Sequence, residues 1–189
     1  MSNTLLPPPT GTSDIEFGSE DSLYEVIDGI RTELSMSAEN ILLANDLSFE
    51  ITSYIRPRKL GRAAVEILFE LPLPGRTRSR RPDVAFVSYD RWAQNRPLPQ
   101  RGDAWPVVPD LAVEFVSPTE RADDVVEKLN DYFDAGVRQV WVAYTRSRYV
   151  MVFDSLTQIR GLREADILDG GTILPGFQLT VGSIFPPRV

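Results

Sequence analysis

"PDLAVEFVSPTERADDVVEKLNDYFDAGVRQVWVA", Pro109 to Ala143, changes its hydrophobic period twice. Leu111–Val116 is a short apolar run interrupted by a single acid, as in a buried strand. From about Arg121 to Ala135 the apolar residues recur at helical spacing, with Val125, Leu129 and Tyr132 on one stripe, and Gly136 supplies the stop. "RQVWVAY" then reads as a strand again. Within the first strand, Ala112, Glu114 and Val116 share one face, and Leu111, Val113 and Phe115 share the other. A carboxylate buried there without partners costs several kcal/mol or stays protonated. Glu114 therefore needs a partner.

Two Pro-Asp dipeptides offer a second carboxylate, at Asp83 and Asp110. Asp110 is on the face of Glu114 but four residues away, about 13 Å at strand rise, too far to share a cation whose ligands sit at about 2.1 Å. Asp83 opens another strand, "DVAFVS". If the two strands are neighbours, the side chains come within roughly 5 Å. Two carboxylates so placed repel each other unless a cation lies between them, and that is how a Mg²⁺ site is built. Lys128 borders the inward stripe of the helix, where it can reach back to the Glu114 face and orient or activate a water. The ordinary alternative for Lys128 is an i,i+4 pair with Asp124, worth about 0.3–0.5 kcal/mol. Asp123, Asp124, Glu127 and Asp131 read as a solvated helix face, and Asp110 as a turn or strand-start residue.

Around this core, "LYEVIDGIRTEL" reads as a hairpin turning at Asp28-Gly29. Apolar residues at helical spacing predict a helix from about Asn40 to Ile55, ended by Arg56-Pro57. "AVEILFELPLPG" reads as one strand closed by prolines. The arginine-rich 76–81 segment reads as a loop in which Arg78, Arg80 and Arg81 are candidate phosphate contacts, set against a plain charged loop. Residues 90–108 form a long irregular connection, "YVMVFDS" another strand, and the tail is turn-rich. Trp92, Trp105 and Trp141 read as core or interface anchors. The whole suggests an α/β domain over 21–189, a mixed β-sheet flanked by helices with an N-terminal β-hairpin, preceded by a flexible arm over 1–20.

The 189 residues carry a net charge of -7, no histidine and no cysteine. That composition excludes zinc fingers, HExxH sites, Ser-His-Asp triads and thiolate nucleophiles. Carboxylates, hydroxyls, arginines and just two lysines, Lys59 and Lys128, remain, and they favour Mg²⁺ or Mn²⁺. The acidic balance argues against non-specific nucleic-acid binding by the whole surface. No apolar run approaches the length of about 20 residues that spans a bilayer, and no signal segment opens the chain, so a cytoplasmic protein is expected.

"YEVIDG", "RPDVAFVS" and the 109–142 run together resemble the Uma-type restriction endonucleases of the PD-(D/E)xK nuclease superfamily, over roughly residues 23–185. The resemblance implies a restriction-endonuclease-like core and Mg²⁺- or Mn²⁺-dependent cleavage of DNA, usually by a homodimer. Asp83 and Glu114 match the two acidic, metal-binding positions. The lysine position two residues on is Val116, and the family's relocated lysine maps onto Lys128. Members often carry a histidine where this chain has "SAENI", so Glu39 or Asn40 would have to substitute, and Glu50 on the same helix is a further candidate outer ligand. The main alternative is a weak or inactive relative acting as an oligomeric or nucleic-acid-associated binding module. A remoter one is glycoside hydrolysis by a metal-free carboxylate pair.

Overall fold

A computed structural model of the protein describes residues 23–34, 37–100, 104–118 and 120–187. The arm expected over 1–20 lies outside them. In chain order the elements are β1 (Tyr24–Ile27), β2 (Ile30–Glu33), α1 (Ala38–Arg58), β3 (Gly61–Val65), β4 (Phe69–Leu73), β5 (Arg76–Arg80), β6 (Val84–Ser88), β7 (Leu111–Val116), α2 (Ala122–Ala135), β8 (Gln139–Tyr144), β9 (Tyr149–Phe153), β10 (Ile159–Leu162), β11 (Ile167–Asp169) and β12 (Gln178–Thr180).

The hairpin forms as expected. Asp28 and Gly29 both take positive φ, 50° and 81°, the pairing that a two-residue turn needs to follow the strand twist. Helix α1 starts on Ser37, whose hydroxyl accepts from Asn40 N–H. It does not stop before Pro57. The proline sits in the last turn and forfeits one backbone donor, and the helix ends one residue later at Arg58, capped by Lys59 (φ 54°). By then Leu43, Leu47, Ile51 and Ile55 are already buried on one stripe.

Two expectations are corrected. "AVEILFELPLPG" is not one strand: the chain turns at Glu66, which has φ 55°, so β3 and β4 join different sheets. The arginine segment is not a loop either. Gly75 (φ 75°) closes a tight β4–β5 hairpin, and β5 is a strand whose Arg78 and Arg80 find acidic partners inside the protein. Arginine-rich sequence reads as solvated only while those partners are unknown.

The main sheet has strand order β10-β9-β8-β7-β6-β3. Its neighbours are antiparallel except β7 and β8, which run parallel and are joined by α2. One face packs α1 against Val84, Phe86, Leu111, Val113 and Phe115. The other packs α2 against Ala85, Ala112, Val140 and Val142, and Phe69 and Leu71 of β4 join that second core. β4 belongs to a smaller sheet, β2-β1-β5-β4. Burial of each large apolar side chain supplies about 1.5–3 kcal/mol, so the two cores fix the sheet between the helices. All three tryptophans are buried, and Trp92 meets Trp105 edge-on. Among the described residues no helix is long and apolar enough to cross a membrane.

Candidate active site

The register of the sheet builds the site. Val65 pairs with Val84 and Val84 with Val113. One step on, the same register sets Glu66 beside Asp83 and Asp83 beside Glu114. Glu66 N–H donates to the Asp83 carbonyl at 3.3 Å, which extends the β3–β6 ladder into the row. Ala64, Ala85 and Ala112, two residues away on each strand, belong to the α2-side core. Strand alternation therefore points Asp83 and Glu114 toward α2.

Asp83 and Glu114 are 8% and 5% exposed. Asp83 Oδ2 accepts from Phe115 N–H at 2.5 Å, so the Asp83 side chain continues the β6–β7 seam where the ladder ends. From α2, Lys128 Nζ donates to Glu114 Oε2 at 2.8 Å and Tyr132 Oη–H to Glu114 Oε1 at 2.5 Å. Lys128 also pairs with Glu120 at 3.2 Å. The structure thus brings Asp83, Glu114 and Lys128 together, and Lys128 turns to the sheet instead of pairing with Asp124. Asp110 lies at the opposite end of β7, bound to Ser88 N–H, Arg91 and Arg138.

Burial pushes the Asp83 carboxyl well above the ordinary range, the charge of Glu114 pushes it further, and the Phe115 N–H opposes both. Glu114 is also raised by burial, against the pull of Lys128. Burial alone would lower the Lys128 ammonium, but Glu114 and Glu120 outweigh it and hold the proton on. The Glu66 carboxyl is pushed up to about 7, chiefly by burial and in part by Glu114, while Arg81 works the other way. Tyr132 is held well above the ordinary phenol range by burial and by Glu114.

The other sequence candidates have different places. Glu39 and Glu50 are exposed on α1, which covers the face of the sheet away from the acidic row. Asn40 is buried, and its Nδ2–H donates to the Phe115 carbonyl at 2.8 Å. Asn40 and Asp83 thus hold both backbone groups of the residue after Glu114. The guanidinia of Arg78 and Arg80 are buried: Arg78 bonds Asp28, Glu127 and Asp131, and Arg80 bonds Glu25 and Asp131. Arg81 donates to the carbonyls of Tyr24 and Glu66. Asp131, expected in solvent, is only 2% exposed, because β5 presents both arginines to that side of α2.

Sequence reasoning missed Glu66, Tyr132 and Glu25 as neighbours of the site. Tyr132 lies four residues after Lys128, one helical turn on, which was a readable signal. Glu66 had none, because its position depends on the break between β3 and β4.

A family model described as "Uma2: Putative restriction endonuclease" matches residues 14–182. The chain belongs to the Uma2 family. Among solved structures it is similar to one titled "Crystal structure of a putative nuclease belonging to DUF820 from Anabaena variabilis ATCC 29413", with a TM-score of 0.71 and 16% identity over 85% of this chain and 88% of that one. At that identity the likeness concerns the fold, a nuclease-like α/β architecture. No curated protein matches the chain.

A Uma2-type site implies a divalent metal. Among the described residues, no three His, Cys, Asp or Glu side chains stand close enough together to hold one as they are placed. The donor set nevertheless fits in kind. It is all oxygen, as hard cations require, and the charges of Glu114 and Glu66 raise Asp83 while Lys128 opposes them. Both carboxylate oxygens of Glu66 are also buried without a hydrogen-bond partner.

Proposed function

We propose that the protein is a Mg²⁺- or Mn²⁺-dependent endonuclease hydrolysing DNA phosphodiester bonds, acting in the cytoplasm as a homodimer. Asp83 and Glu114 would hold the metal, and Lys128 would orient the attacking water. The observation that carries this reading is the Lys128–Glu114 contact at 2.8 Å beside Asp83. Although the lysine is absent two residues after Glu114, the helix returns an ammonium to the same carboxylate.

The bound metal would supply a water of lowered pKa and offset charge on the phosphate. The residues of the chain do the rest. Lys128 keeps its proton, so it orients and polarises a water or a phosphate oxygen and does not remove a proton. Tyr132 and Lys128 fix one Glu114 oxygen each, which sets the rotamer of that carboxylate. Asn40 and Asp83 lock the Phe115 peptide, so the end of β7 cannot shift relative to α1 and β6.

A second reading, a binding module without cleavage activity, is favoured by one observation: both Glu114 oxygens are already engaged by the chain's own donors. Calorimetry with Mg²⁺ and Mn²⁺ on wild type and Asp83→Ala tests the first reading, which expects binding only to the wild type. The absence of metal binding to either protein overturns it. Cleavage of single-stranded, double-stranded and structured DNA then separates the two, since a metal-binding protein that cuts none of them is the binding module. Light scattering on the purified protein checks the dimer.

A further inference from the structure

We propose that the outer face of α1 is a self-complementary surface, on which a second copy of the chain packs its own α1 antiparallel about a two-fold axis at Phe49. The inference rests on the homodimer part of the reading above and names the surface that forms it.

The helix carries apolar side chains on two sides. Leu43, Leu47, Ile51 and Ile55 are buried against the sheet. On the opposite side Leu42 and Phe49, seven residues or two turns apart, are 63% and 68% exposed, and Ile41 beside Leu42 is 39% exposed. A helix that served only to cover one core would be polar there. Single apolar residues on a surface are ordinary, but two on one helical stripe form a ridge that another helix can pack against.

The charges around this ridge decide what covers it. Glu39 and Asp46 flank Leu42, one turn to either side, and Arg56 lies on the stripe two turns beyond Phe49. All three are exposed, and among the described residues none of them is in an ion pair. Leu42 and Arg56 are equally far from Phe49 along the axis, about 10.5 Å on either side. An antiparallel pair crossing at Phe49 therefore sets one Phe49 against the other and lays the partner's Arg56 over Leu42, between Glu39 and Asp46. The contact occurs twice, as a two-fold interface requires. A parallel pair would set like charges against each other, and a nucleic-acid backbone would meet Glu39, Asp46 and Glu50. Because α1 covers the sheet face away from Asp83, Glu114 and Lys128, this dimer leaves the two candidate sites on opposite outer sides.

The test is analytical ultracentrifugation over a concentration series on wild type, Phe49→Lys and two charge variants, Arg56→Glu and Glu39→Lys/Asp46→Lys. The inference expects a wild-type dimer and at least tenfold weaker dimerisation of Phe49→Lys, with the unfolding midpoint unchanged because the side chain is exposed. Each charge variant alone should shift toward monomer. An equimolar mixture of the two should dimerise again, because the reversed charges then meet opposite charges at both contacts. That rescue distinguishes a contact between copies from a change within one chain. It also uses only exposed positions, so it decides the question even where Phe49→Lys fails to fold. A wild-type dimer that none of the variants weakens, or a mixture that stays monomeric, overturns the α1 surface and leaves the homodimer standing. A wild type that is monomeric throughout the series overturns both.

Discussion

Lys128 Nζ meets Glu114 Oε2 at 2.8 Å, and this contact ties helix α2 to the central strand β7. Both groups are largely buried, with side chains 16% and 6% exposed. In such a pair the loss of one partner leaves the other as an uncompensated buried group, a penalty of about 3–5 kcal/mol. Lys128→Met should therefore cost about 3 kcal/mol of unfolding free energy in urea. The double variant Lys128→Met/Glu114→Gln should cost less than the single one. A single variant indistinguishable from wild type would mean that the ammonium does not neutralise Glu114.

Tyr132→Phe removes one donor from Glu114 and leaves the ring packed among Val125, Leu129 and Ala112. A buried acceptor deprived of its hydrogen bond costs about 1–3 kcal/mol, and that loss in equilibrium unfolding is the expected outcome. Metal affinity should change little, since Lys128 still holds the carboxylate. A variant as stable as wild type would show that the hydroxyl is not the second donor fixing Glu114.

Asp131 accepts from Arg78 and Arg80 in the interior, whereas Glu127 on the same helix is half exposed and pairs with Arg78 alone at short range. Asp131→Ala removes the buried acid that Arg78 and Arg80 share, leaves each with its other acidic partners, and should destabilise the protein by about 3 kcal/mol. Glu127→Ala should cost less than about 1 kcal/mol. Chemical denaturation of both variants checks the order. Equal costs would indicate that the arginines do not depend on the buried acid.

Asp169 is held below the ordinary carboxyl range, first by its hydrogen bond from Arg160. A depressed folded value adds stability above the unfolded carboxyl pKa, and that stability disappears as the pH falls through the folded value. Both side chains are about two-fifths exposed, so solvent screening keeps the effect below about 0.5 kcal/mol. The difference between wild type and Asp169→Asn should be present near neutrality, vanish in strong acid and shrink in high salt. A difference that grows in acid would reverse the assigned sign.

What was legible in the sequence followed from periodicity. The alternation at 111–116 placed Glu114 on the correct face, and the Val125–Leu129–Tyr132 stripe fixed which side of α2 faces inward. Asp28-Gly29 marked the hairpin. What was illegible depended on long-range pairing. Nothing local announces that Glu66 ends one sheet's strand while Phe69 begins another's, and a bend at a non-glycine residue gives no compositional sign. The arginines of β5 misled for the same reason: their partners, Glu25 and Asp131, are remote in sequence. The β6–β7 adjacency that joins Asp83 to Glu114 could only be posed as a condition. Helix α1 outran its expected end because a proline is tolerated in the last turn once the buried stripe is complete.

The order of strands has one more consequence. Glu114, Lys128 and Tyr132 all come from the parallel β7–α2–β8 unit, while Glu66 and Asp83 come from antiparallel strands that precede the 90–108 connection. A chain severed in that connection would yield two halves, each holding part of the constellation. Their reassociation along the β6–β7 pair, with Val84–Val113, Ala85–Ala112 and Phe86–Leu111 in register, would reunite it. The protein is thus a natural candidate for fragment complementation, with any activity reporting directly on whether that seam has closed.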